Sequence, residues 1–180
     1  ALKFITQLVN FSVRGSIQLY FKSADLIFHA DKAIVTECKN AFRNIFLLNG
    51  DSLLPPKEIS ENLMNVFAQC KPEYKQAVEE IVTNMFSSEG NGSGVDDVAV
   101  SSCLWSVVSS AEADSPKTGT ALRILTLMAM NSDVEDKVVA LSWSRVSTVI
   151  RSGMSAKTIA HFNFDAVQAA ARFLQLVPRD

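Results

Sequence analysis

Leu2, Ile5, Leu8 and Val9 recur at steps of three and four residues, the spacing that lines side chains along one face of an α-helix. The pattern predicts an opening helix that runs to about Tyr20, with Gly15 as its weak point. Ser23 precedes a short helical piece, Ala24 to Ala30. A longer helix is expected from Asp31 to about Leu48, burying Ile34, Val35, Cys38, Ala41, Ile45 and Phe46. Asn49-Gly50-Asp51 is expected to stop it, since Gly and Asn suit a left-handed helix end. Pro56 fits the first turn of the next helix, whose stripe is Ile59, Leu63, Val66 and Phe67. After Lys71-Pro72, the residues Ala77, Ile81 and Met85 continue the rhythm.

Ser87 to Gly94 reads as the clearest loop in the chain. A helix from Val95 to about Ser109 carries Val98, Leu104, Trp105 and Val108, and Ala111 to Ser115 forms a second polar connector. Pro116 opens a helix that ends near Asn131. Ser132-Asp133-Val134-Glu135 fits a capping box, in which each side chain satisfies the other residue's free amide. The helix it starts runs through Val138, Leu141, Val146 and Val149 to Gly153. A last helix takes Phe164, Val167, Ala171, Phe173 and Leu174 before Pro178. No segment alternates with period two for long enough to make a strand. The fold class is all-α.

Helix pairs recur with a period of about 40 residues, the HEAT/armadillo range. The units are 1–30, 31–70, 71–109, 116–153 and a partial 157–180. The expected architecture is one helical-repeat segment over 1–180, an α-solenoid of stacked antiparallel helix pairs, each burying a face on the next. A compact helical bundle fits the same periodicity. The chain opens at Ala1 already inside a helical pattern, so it is expected to be an excerpt of a longer protein.

Composition narrows the function. At 48% hydrophobic the chain is not disordered, and 17 Lys plus Arg against 19 Asp plus Glu argue against a globally basic nucleic-acid binder while leaving room for a local basic patch. No apolar run approaches the roughly 18 residues of a membrane span, so no membrane contact is expected. Cys38, Cys70 and Cys103 are widely spaced, and His29 and His161 are the two histidines, so no zinc-ligand spacing and no cofactor site is read.

Gly90-Asn91-Gly92-Ser93-Gly94 has the composition of a phosphate-cradling loop, but a helix precedes it and Asp96-Asp97 stand where phosphate would sit. It reads as a linker. His161, near Asn163 and Asp165, reads as a surface capping residue, and no nucleophile motif accompanies it. Glu79-Glu80 and Asp96-Asp97 are adjacent residues, whose side chains splay rather than converge. Trp105 and Trp143 are partner-binding candidates, with core packing favoured for both. Lys32, Lys39 and Arg43 fall at i, i+7 and i+11 on one helical face, a candidate contact for DNA phosphates; an ordinary solvated face is the alternative.

Several segments together resemble a known family. Ala41-Phe42-Arg43-Asn44-Ile45-Phe46-Leu47 is similar to an A-[YF]-x-x-[IL]-F-L segment. Gly119-x-Ala121-Leu122-x-Ile124-Leu125 through Met128-Ala129 resembles an R-R-G-A-x-x-x-L-G-M-L-A helix, and Ile150-Arg151-Ser152-Gly153-Met154 an [IL]-x-x-G-[LM] unit. In this collinear order they resemble the HEAT-repeat non-SMC regulatory subunits of condensin. Lys117-Thr118 stands where that family has two arginines, and the link from His29 to Lys32 is shorter than in relatives. The resemblance implies a non-catalytic scaffold of mitotic chromosome condensation, on chromosomes in the nucleus with a cytoplasmic pool. Its implied partners are a kleisin subunit, the SMC ATPase subunits and double-stranded DNA held by its backbone, with no small-molecule substrate. A transport or trafficking adaptor of the importin or armadillo type is the alternative. A helical enzyme would need a cluster of polar residues in a pocket.

Overall fold

A computed structural model describes residues 1–86, 94–110, 116–130 and 164–176. Within them the chain is mostly helical, as expected: α1 Leu2–Asn10, α2 Ser16–Ser23, α3 Lys32–Phe46, α4 Pro56–Gln69, α5 Lys75–Met85, α6 Asp97–Ser110, α7 Pro116–Met130 and α8 Phe164–Leu176. Short 3₁₀ turns, Ala24–Phe28 and Pro72–Tyr74, lead into α3 and α5. The loop over 87–93, the connector over 111–115, the capping box at Ser132 with its helix, Trp143 and His161 all lie outside the described residues.

The expected single opening helix is two. It stops at Asn10 in a Schellman motif, with Val13 N–H donating to Leu8 O at 2.9 Å and Ser12 N–H to Val9 O at 2.8 Å. Ser12 takes the left-handed conformation that closes this motif, with φ +55°. Gly15 takes a positive φ of +83° too, but as the N-cap of α2 rather than as a helix terminator. A terminator built on serine carries no glycine signal, so periodicity alone reads through it.

The end of α3 also differs from expectation. The helix stops at Phe46, and Asn49-Gly50-Asp51 does not cap it. Leu48–Asn49 and Ser52–Leu53 instead pair as a small antiparallel hairpin, Leu48 opposite Leu53, with Gly50 at φ +63° in the two-residue turn. Leu54 N–H donates to Leu47 O at 2.9 Å and lengthens the ladder by one rung. The α3 terminus is served from another helix, where Asn62 Nδ2 of α4 donates to Phe46 O at 2.9 Å. At the other end of α3, Asp31 accepts from Ala33 N–H at 2.8 Å, as an N-cap should.

α1 packs on α2 and α3, α3 on the first 3₁₀ turn, α4 and α5, and α5 on that turn and on α7. α4 packs on α6 and α7, and α7 also on α6 and α8. The stripes Ile59-Leu63-Val66-Phe67 and Ala77-Ile81-Met85 are buried as expected. Cys38, Ala41 and Phe46 of α3 are buried, and so is Phe42, which the spacing had not singled out. Several expected core residues, among them Leu8, Val9 and Ile34, are only half-buried, and two are exposed. Val98, in the first turn of α6 and off the face of Val100, Leu104 and Val108, is 60% exposed. Ala171 of α8 is exposed, because that helix turns Ala169, Ala170 and Phe173 inward.

Buried hydroxyls are satisfied within their own turns: Thr6 donates to Leu2 O, Ser60 to Lys57 O and Thr126 to Leu122 O. Tyr20 differs. It is fully buried in an aromatic cluster with Phe21, Phe42 and Phe46, ring centroids 5.7–6.3 Å away, and its hydroxyl has no hydrogen-bond partner.

Candidate interaction surfaces

α3 carries the basic residues singled out from spacing. Lys32 is exposed, Lys39 and Arg43 half-buried. The Arg43 Nε is out of contact with solvent, so this side chain serves packing as well as surface charge. Helical geometry keeps the three on one face, at about 100° per residue. Glu37 lies off that face and reaches toward Lys3 of α1 at 3.9 Å, a long contact between solvated groups that contributes little. The basic stripe is therefore not cancelled by its own helix.

Trp105 is 4% exposed. Its ring meets Phe173 of α8 edge to face, centroids 5.4 Å apart at 84°, and its indole N–H is buried without an acceptor. That places Trp105 in the α6–α8 contact, buried rather than presented to a partner.

The acidic pairs divide as adjacent residues must. Glu79 forms an ion pair with Arg123, tying α5 to α7, while Glu80 accepts from Asn84 Nδ2 at 2.8 Å on its own helix. Asp96 caps α6, accepting from Ala99 N–H at 2.9 Å. Burial, and then the neighbouring Asp96 charge, raises the Asp97 carboxyl above its ordinary value. Neither pair converges on a common point. The cap also leaves the start of α6 poorly suited to an anion, since the Asp96 carboxylate already occupies the Ala99 amide. Gly94 brings its backbone close to Leu53 of the hairpin, where an added Cβ would sit 3.4 Å from Leu53 Cδ1.

The cysteines behave as small apolar residues. Cys38 is fully buried with its Sγ 3.7 Å from Ala24 O, and burial pushes its thiol up to about 11. Burial also raises Cys70, with Lys75 and Arg123 pulling against it and Glu79 with it. Among the described residues, no group of three or more His, Cys, Asp or Glu gathers as a metal site, and no helix is long and apolar enough to cross a membrane.

Sequence reasoning passed over the surface of α1. Phe4 and Phe11 project into solvent, on the side of the helix opposite Leu2 and Thr6. The signal was present as an apolar i, i+4, i+7 series at Phe4, Leu8 and Phe11, but it competes with the core-facing series of the same helix. No family model, curated protein or solved structure matches this chain.

Proposed function

We propose that this chain is a segment of a HEAT/armadillo-like α-solenoid acting as a non-catalytic scaffold, resembling the condensin HEAT subunits. Its partners on this reading are a kleisin chain, the SMC ATPase subunits and duplex DNA during mitotic chromosome condensation. The observation that carries the solenoid part is the order of helix contacts. Odd-numbered helices follow one another, α1 on α3, α3 on α5 and α5 on α7, while α4 packs on α6. Stacked helix pairs produce such a two-layered succession, because each unit buries its face on the next. A compact bundle is the second reading, favoured by α7, which touches α4, α5, α6 and α8. Small-angle scattering separates the two, since a solenoid gives a larger radius of gyration than the roughly 16 Å of a compact chain this long.

DNA contact rests on Lys32 and Lys39, solvent-reaching cations on one face of α3 with no acid between them on that face. Contacts of this kind supply salt-dependent affinity without reading sequence. Lys32→Glu with Lys39→Glu should weaken duplex retention across all sequences and flatten its salt dependence, with helicity unchanged by circular dichroism. Unchanged retention would remove α3 from the DNA reading. An importin-type adaptor would retain neither DNA nor a kleisin peptide at any salt concentration.

A further inference from the structure

We draw no further inference here: the strongest candidate, the uncovered apolar side of α1 that carries Phe4 and Phe11, is where a neighbouring helix pair would stack in the array already proposed, and nothing in the structure shows what covers it.

Discussion

Along α7, Thr118, Ala121, Leu122, Ile124, Leu125, Thr126, Leu127 and Met128 are all buried, whereas α1 buries Leu2 and Thr6 and turns Phe4 and Phe11 to solvent. Both helices are apolar, and both look like core elements when read by composition. The difference is in the number of neighbours. α7 is surrounded by α4, α5, α6 and α8, so apolar side chains on every side find partners; α1 lies against α2 and α3 and keeps one side uncovered. An apolar helix thus marks either the interior of the fold or a surface that something else covers, and only the contacts tell which.

Substitutions sharpen that contrast. The largest effect is expected at Leu125, 1% exposed at the centre of the α7 packing: Leu125→Ala should cost about 2–5 kcal/mol in chemical denaturation. A cost near that of a surface residue would mean that α7 is not enclosed. Next comes the neutral, buried thiol of Cys38. Its folded value of about 11 lies above the ordinary 9.0, so its stabilising share is complete below pH 9 and lost as pH rises through 11. Denaturation at pH 7 and pH 11 should show an alkaline loss that Cys38→Ala reduces by about 2 kcal/mol, the remainder belonging to other buried groups raised in the same direction, Tyr20 and Cys70 among them.

Tyr20→Phe deletes a buried hydroxyl with no partner and should stabilise the aromatic region by about 1 kcal/mol. Loss of stability would reveal a hydrogen bond that this geometry does not contain. The smallest effect belongs to the α1 terminus. Ser12→Gly, at φ +55°, should raise stability by about 0.5–1 kcal/mol, read as a small rise in Tm. No rise would place the end of α1 elsewhere.

Periodicity located most helices within a residue or two because a helix that buries one face must repeat its apolar positions near 3.6. Pro56 and Asp31 gave usable starts, since a missing N–H at N1 and a carboxylate at the N-cap act within one turn. The surface stripe of Lys32, Lys39 and Arg43 was legible for the same reason, although the partial burial of Arg43 was not. Trp105 could not be assigned from sequence, because a tryptophan has the same local pattern in a core as at an interface. Its role follows from Phe173, which is 68 positions further along the chain.

What the amino-acid order determined alone is the helical character of the described residues, their main boundaries and the absence of long strands, all consequences of interactions within one or two turns. Local turn geometry that periodicity does not register ended α1 on serine rather than glycine and turned a hairpin at Gly50. Tertiary structure decided that Asn62 serves the end of α3, and that α7 lies inside while α1 faces outward; each of these depends on groups distant in sequence meeting in space, and the free energy of such a meeting is not contained in either segment by itself.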